Sequence, residues 1–209
     1  DKSIALVGMN YMLERPSEIK AFRVKHKQFN IITHSDNYQD YHKCINLEIK
    51  PYVIPNGISL SEFDLNPVNF RMRHNIKTKF MLLCVSNFFP GKGQESLLAV
   101  AEKLYDTNKD FTLVFVSSTV DFPAAKFSAA YVKSQLNKAK YSWKFLTDIP
   151  RDEVVAAFKA SDLFVFPSQK EVAPIVILES MVSGVPWVAL PVGNLRELSG
   201  GVLIHGAMS

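Results

Sequence analysis

The sequence predicts an α/β protein in which helices cover both faces of a parallel β-sheet. From residue 51 onward, short apolar runs alternate with amphipathic segments, which is the order of βαβ units. The run from Phe80 to Val85 is apolar throughout, as expected for a strand buried on both faces. Pro174 and Gly184 bracket another segment as a helix start and a helix end.

The elements follow in a regular order along the chain. Strands are predicted at 4–8, 29–33, 52–54, 79–86, 111–117, 143–146, 163–166, 187–190 and 202–204. Helices are predicted at 16–28, 37–46, 68–76, 94–106, 121–140, 151–160 and 174–183. Ser35 or Asp36 is expected to cap the helix at 37–46.

Composition and charge narrow the class of protein. A chain of 209 residues with 47% hydrophobic and 21% charged residues is of the ordinary globular kind. The net charge of +4 arises in residues 1–80, which carry 12 Lys and Arg against 8 Asp and Glu. We interpret this excess as a solvated face, with contact to an anionic membrane surface or acceptor as the alternative. No arginine-rich run or aromatic-basic motif occurs, which argues against nucleic acid as a partner.

The two cysteines, Cys44 and Cys84, form neither a disulfide framework nor a zinc motif. A reducing, cytoplasmic setting fits them. The most apolar long window, 173–192, is interrupted by Glu179, Gly184 and three prolines and is not expected to span a membrane. There is no Asp-x-Asp triplet to hold a divalent cation, so no metal is expected.

Two glutamates stand out around the segment 163–186. Glu179 lies in the middle of a helix that is apolar nearly all round, where a carboxylate is costly to bury without a partner. One interpretation places Glu179 on a solvent-exposed strip of that helix. The other pairs it with Glu171, in the loop at the carboxyl end of a predicted strand, where α/β sheets bind ligands. Two carboxylates in one crevice suit the hydroxyls of a sugar or a ribose.

A second loop, 87–93, links a buried strand to a helix and contains Gly91, Lys92 and Gly93. Backbone N–H groups and the helix dipole would attract a phosphate there, and Lys92 would add a full positive charge. The alternative is an ordinary turn with an exposed lysine, since the spacing matches neither GxGxxG nor the Walker loop.

The stretch PSQKEVAPIVILESMVSGVPWVA, preceded by SDLFVFPS, resembles the signature of retaining glycosyltransferases of the GT-B fold, family four. The resemblance extends to YVIPNGISLSEF and covers about residues 31–205. It implies a Rossmann-like lobe that binds a nucleotide diphosphate sugar. By this resemblance Glu171 contacts the transferred sugar, Glu179 contacts the ribose, and Lys92 with Gly93 faces the donor diphosphate.

The sequence departs from the family pattern at two places. Where the family commonly has glycines around an aromatic residue, this chain has Val172, Ala173 and Pro174, which precede Ile175. Pro174 has no N–H to donate. Asn87 stands where the family usually has an arginine, and it brings hydrogen-bond donors without charge.

The remaining candidates come from a later loop. Gly193, Asn194 and Glu197 match a glycine-bearing loop with a later glutamate, and a simple turn is the alternative. With Asn87, Gly91, Gly93, Glu179 and residues 172–175, Gly193 and Asn194 make up the expected donor-binding set. Glu171 and Lys92 are the expected catalytic residues.

The resemblance implies transfer of a hexose to an acceptor hydroxyl with retention, with no cofactor besides the donor. The acceptor would be a sugar, a lipid-linked group or a protein, and peripheral contact with the inner membrane face is the alternative interpretation of the positive charge excess. Residues 1–50 would be the tail of a first lobe and 51–209 the donor lobe, so we expect a piece of a two-lobed enzyme. The alternative is a nucleotide-sugar binding or regulatory module without turnover. A nicotinamide-binding domain is disfavoured because the glycine fingerprint is missing.

Overall fold

The computed structural model of the protein describes residues 3–6, 29–64, 68–118 and 129–204. The chain divides into two compact units. Of the described residues, the first unit contains 3–6, 29–57, 171–175 and 192–198, and the second contains 58–64, 68–118, 129–170, 176–191 and 199–204. The expected domains, 1–50 and 51–209, stay a prediction.

The first unit contains a three-stranded parallel sheet in the order β1-β2-β3. Its strands are β1 (Ser3–Leu6), β2 (Phe29–Thr33) and β3 (Tyr52–Val53), and its helix is α1 (Gln39–Asn46). The three strands were expected here. The helix predicted at 16–28 lies outside the described residues.

The expected cap of α1 is wrong. The N-cap is Tyr38, and its side chain makes no capping hydrogen bond. Ser35 is buried, and its hydroxyl accepts a hydrogen bond from the Asn37 N–H at 3.0 Å and donates to a carboxylate oxygen of Glu197. Because the Ser35 hydroxyl bonds to the N–H of Asn37, which precedes the helix, it does not cap the first helical turn.

The second unit contains a six-stranded sheet in the order β6-β5-β4-β7-β8-β9, with every neighbouring pair parallel. Its strands are β4 (Phe80–Val85), β5 (Phe111–Ser117), β6 (Ser142–Thr147), β7 (Leu163–Phe166), β8 (Trp187–Ala189) and β9 (Gly201–Leu203). The predicted α/β class with a parallel sheet is confirmed.

The remaining helices are α2 (Ser61–Asp64), α3 (Phe70–Arg73), α4 (Gln94–Thr107), α5 (Ala129–Leu136), α6 (Arg151–Ala160) and α7 (Ile175–Val182). Five were expected, with some differences in length. The expected helix at 121–140 is described only from residue 129. Helix α2 was not predicted, because four residues are too short for a helical period to show.

Alternation along β4 places the core on both faces of the sheet. Leu82 and Cys84 join a buried cluster with Leu97 and Ala101 of α4 and with residues of α5. Met81 and Leu83 are also fully buried and point to the opposite face. On that face α6 packs, and the Phe158 ring lies 5.1 Å from the ring of Phe164 in β7.

The strand order fixes where the chain reverses direction across the sheet. From β4 the chain moves outward to β5 and β6, and it then returns to β7 on the other side of β4. The carboxyl ends of β4 and β7 therefore form the topological switch point, which is where open α/β sheets bind ligands.

Both cysteines are buried and free. Across the ranges that the structure describes, no helix combines the length and apolar character needed to cross a bilayer.

Candidate functional site

The loops after β4 and β7 meet at the switch point within the second unit. The Gln169 N–H donates a hydrogen bond to the Gly91 carbonyl at 2.7 Å. Gly93 packs so closely that a Cβ there would lie 2.2 Å from the carbonyl oxygen of Pro167. The two loops are therefore locked together through their backbones, and only a glycine fits at position 93.

Gly93 is also the N-cap of the fourteen-residue helix α4, with a left-handed backbone at φ 75°. It has no side chain to cap the helix, and the Ser96 N–H bonds to its carbonyl at 3.0 Å. The N–H groups of Gln94 and Glu95, in the first turn of α4, are therefore the ones that suit a ligand. Lys92 precedes it and is half-buried. These features are those expected of a phosphate-binding turn, and the roles of Gly91, Lys92 and Gly93 in binding a donor stay a prediction.

Asn87 links the ends of two neighbouring strands. Its side-chain oxygen accepts hydrogen bonds from the Ser118 N–H at 3.3 Å and from the Ser118 hydroxyl at 2.9 Å. Its backbone carbonyl accepts from Nε2 of the buried Gln94 at 3.0 Å. Asn87 thus fixes the start of the loop to β5 and α4, a supporting role that the sequence did not suggest for it or for Gln94.

Glu179 is buried, with only 7% of its side chain exposed, so it does not lie on a solvent-exposed strip of α7. Its Oε1 forms an ion pair with Nη1 of Arg151, the first residue of α6. The Nε of Arg151 in turn contacts Glu62 of α2 at 2.9 Å. The partner that a buried carboxylate requires is therefore supplied from another helix.

Arg151 is charged under all ordinary conditions. Burial lowers the pKa of its guanidinium, but hydrogen bonds and the negative charges of Glu62 and Glu179 outweigh burial and raise that pKa above its usual value. The sequence offered no signal for Arg151, because its contact with Glu179 depends on how two helices pack.

The other expected site residues lie in the first unit, where two short loops are joined. The Asn194 N–H donates to the Val172 carbonyl at 2.9 Å. Gly193 has φ 55°, and a Cβ there would lie 2.3 Å from that same carbonyl oxygen. The structure thus brings the segment 171–175 together with Gly193 and Asn194, and their roles in binding a donor stay a prediction.

Asn56, in the turn after β3, anchors the same segment. Its side-chain amide donates to the Ala173 carbonyl at 2.7 Å. Glu171 and Pro174 are buried, whereas Ile175 is about half exposed. The carboxylate of Glu197 accepts from the Ser35 hydroxyl, which assigns it a structural contact. Asn56 was missed as a supporting residue, although it lies in the stretch YVIPNGISLSEF, to which the resemblance extends.

The expected residues thus fall into two groups. Lys92, its flanking glycines, Asn87 and Glu179 belong to the second unit, and Glu171 with residues 172–175, 193 and 194 belongs to the first. Within the described ranges, no group of three or more His, Cys, Asp or Glu side chains is arranged to hold a metal ion.

Comparison with known proteins identifies relatives by sequence. The D-inositol 3-phosphate glycosyltransferase of Corynebacterium glutamicum is 30% identical over 128 residues, which are 58% of this chain and 30% of the relative. The alpha-monoglucosyldiacylglycerol synthase of Streptococcus pneumoniae is 26% identical over 191 residues, which are 85% of this chain and 41% of the relative. The chain therefore spans less than half of each of these proteins.

Solved structures share the fold. HepE of Anabaena, crystallised with UDP and glucose, superposes with a TM-score of 0.73 at 21% identity, over 90% of this chain and 53% of HepE. A glycosyltransferase of Rickettsia africae gives a TM-score of 0.75 at 18% identity, over 96% of this chain and 55% of that one. At these identities the likeness establishes the Rossmann-like lobe of the GT-B fold.

The family model described as glycosyl transferases group 1 matches residues 69–200. This match includes the loops after β4 and β7, Arg151 and Glu179. The chain therefore belongs to the glycosyl transferases group 1 family.

Proposed function

We propose that this chain supplies the donor lobe of a glycosyltransferase that moves a hexose from a nucleoside diphosphate sugar to an acceptor hydroxyl with retention. The observation that supports this most is the locked pair of loops after β4 and β7, at the start of α4. A switch point is the usual nucleotide site of an open α/β sheet, and helix N–H groups suit a phosphate.

Each expected site residue has a role in this proposal. When the bond between the anomeric carbon and the phosphate oxygen breaks, the electron pair leaves with the diphosphate, and Lys92 balances the new negative charge. Glu171 orients the sugar so that the acceptor oxygen forms the new bond to the anomeric carbon, and the proton of the acceptor hydroxyl passes to the departing phosphate oxygen. Glu179 accepts a hydrogen bond from a ribose hydroxyl. Asn87, Gly91, Gly93, Gly193, Asn194 and residues 172–175 shape the rest of the donor site.

The relatives guide the choice of donor and acceptor. HepE was crystallised with UDP and glucose, and the Streptococcus pneumoniae relative is named for a glucosylated diacylglycerol. We therefore propose a UDP-sugar as the first donor to test, and a sugar, a lipid-linked group or a protein as the acceptor. Two free, buried cysteines agree with a reducing cytoplasmic setting, and peripheral membrane contact would serve a lipid acceptor.

The experiment measures transfer by the full-length protein from UDP-glucose, GDP-mannose and ADP-glucose, with the product anomer read by NMR. We expect one donor to be used and the anomeric configuration to be kept. Glu171→Gln should lower kcat/KM roughly a hundredfold, as for loss of one transition-state contact. Glu102→Gln, at an exposed position on α4, is the matched control and should leave transfer unchanged. An inverted product, or equal rates in the two variants, would contradict the proposal.

A further inference from the structure

The ion pair between Arg151 and Glu179 joins a half-exposed cation to a buried anion. The Arg151 side chain is 46% exposed, and that of Glu179 is 7% exposed. A carboxylate buried to this degree is costly unless a charged or hydrogen-bonding group compensates it. Of the residues that the structure describes, Arg151 is the cation that meets this carboxylate, and it does so at Oε1.

Arg151 is held on its other side as well. Its Nε contacts Oε2 of Glu62 at 2.9 Å, and its guanidinium carbon lies 5.7 Å from the centre of the Phe63 ring. Helix α2, which contributes both residues, is tied to α6 because Lys159 donates a hydrogen bond to the Phe63 carbonyl. A planar guanidinium that contacts two carboxylates and a ring has little freedom to turn.

From this geometry we infer that Arg151 is a positioning residue that orients the Glu179 carboxylate for the ribose of a nucleotide. With Oε1 engaged by Arg151, Oε2 is the oxygen that accepts the ribose hydroxyl. Arg151 touches neither the ribose nor the sugar and acts through Glu179. This inference rests on the proposed function, since it assumes that Glu179 is part of a nucleotide site.

The arrangement should produce discrimination between ribose and deoxyribose. A carboxylate fixed by a rigid partner keeps its second oxygen in one place, so loss of a ribose hydroxyl leaves a buried acceptor unsatisfied. A carboxylate freed from Arg151 could turn or bind water, and the penalty for the missing hydroxyl would shrink. Selectivity for the ribonucleotide is therefore the property that depends on Arg151.

Helix α6 provides a matched control pair. Arg73 of α3 is 48% exposed and contacts Glu153 of α6, whose side chain is 8% exposed, at 2.9 Å. Glu153 also contacts Nε2 of His74 at 2.6 Å. The exposed fractions of Arg73 and Glu153 closely match those of Arg151 and Glu179, but neither Arg73 nor Glu153 is an expected site residue. Arg73→Ala therefore reports the effect of removing an arginine from a buried glutamate on this helix.

The test is calorimetric titration of the protein with UDP, GDP and ADP and with their 2′-deoxy and 3′-deoxy forms. The variants are Arg151→Ala, Arg151→Lys, Glu179→Gln, the double change Arg151→Ala with Glu179→Gln, and Arg73→Ala. We expect the wild type to prefer the ribonucleotide about tenfold, the effect of one hydrogen bond to a charged group. Arg151→Ala and Glu179→Gln should each abolish most of this preference, and the double variant should match Glu179→Gln alone. Arg151→Lys should be intermediate, because an ammonium keeps the charge without the planar fork.

Arg73→Ala should keep the full preference even where its thermal midpoint falls as far as that of Arg151→Ala. If Arg151→Ala keeps the preference while Glu179→Gln loses it, Arg151 does not position Glu179, and the proposed function still stands. If the wild type binds a nucleotide without any preference for ribose, the inference falls together with the ribose role of Glu179. If no nucleotide binds the wild type, both the proposed function and the inference are overturned.

Discussion

At the scale of single residues, buried charges in the second unit come with partners from other elements. Glu179 of α7 meets Arg151 of α6, and Glu153 of α6 meets Arg73 and His74 at the end of α3. Because an isolated buried carboxylate is strongly unfavourable, each of these pairs ties two elements together. The same contacts that hold the helices in place also set the direction of Glu179.

The buried thiol of Cys84 predicts a loss of stability at alkaline pH. Burial raises its pKa from 9.0 to about 12, whereas the thiol of the unfolded chain ionises near its ordinary value. The folded state therefore keeps a proton that the unfolded state releases, and the free energy of unfolding should fall as pH rises from 9 to 12. Below pH 9 both states are protonated, and this group has no effect.

Urea denaturation at a series of pH values checks this expectation. Cys84→Ala should make the decline above pH 9 shallower, and any packing loss it causes should be the same at all pH values. Tyr141, whose pKa is raised to about 12 by burial and by the charge of Glu102, would account for part of the remaining decline. If the free energy of unfolding falls just as steeply with pH above pH 9 in Cys84→Ala, this thiol is not the source of the decline.

Among single residues, the sequence predicted the features that arise from neighbours along the chain, and it missed those that arise from contacts between distant elements. Glu179 stood out because its helix is apolar, which is a local pattern. Its partner Arg151 could not be found, because the contact arises from packing between two helices. The supporting roles of Asn56 and Gln94 were missed for the same reason, since each reaches a backbone carbonyl in another loop or strand end.

At the scale of elements, the strands were predictable because a parallel sheet is buried on both faces and leaves continuous apolar runs. The bounds of β2, β5, α6 and β7 agree with expectation. The cap of α1 was predicted wrongly, because Ser35 and Asp36 are both suitable in type, and their use depends on backbone geometry. Helix α2 escaped notice because its four residues show no period.

The contact between the loops after β4 and β7 leads to a prediction about two glycines. Gly91 and Gly93 both have positive φ, at 87° and 75°. A Cβ at Gly91 would meet nothing within 4 Å, whereas one at Gly93 would lie 2.2 Å from the Pro167 carbonyl oxygen. Gly91→Ala should therefore carry only the left-handed backbone cost of about 1–2 kcal/mol. Gly93→Ala should add an overpacking cost of about 1–3 kcal/mol.

Chemical denaturation of the two variants measures this difference. The larger loss in Gly93→Ala should be accompanied by weaker nucleotide binding, because the loops would separate where the phosphate is expected. Equal stabilities for Gly91→Ala and Gly93→Ala would mean that the two loops are not held in close contact in solution.

At the scale of the whole molecule, the sequence predicted the fold class but not the strand order. Alternating strands and helices require a parallel sheet, yet they do not say on which side of β4 the strand β7 is placed. That order decides that the loops 86–93 and 167–170 share one edge of the sheet. The resemblance to the family implied that both loops face the same donor, which periodicity and composition alone did not indicate.

Binding of a nucleoside diphosphate at the switch point of this sheet underlies the proposed activity, and calorimetric titration of UDP, GDP and ADP measures it. One of the three nucleotides should bind the wild type, and Lys92→Ala should weaken its binding about tenfold or more through loss of a charge-assisted contact to phosphate. Lys103→Ala, at an exposed position of α4, should bind as the wild type does. Failure of all three nucleotides to bind the wild type, or equal binding by the two lysine variants, would mean that this switch point is not a nucleotide site.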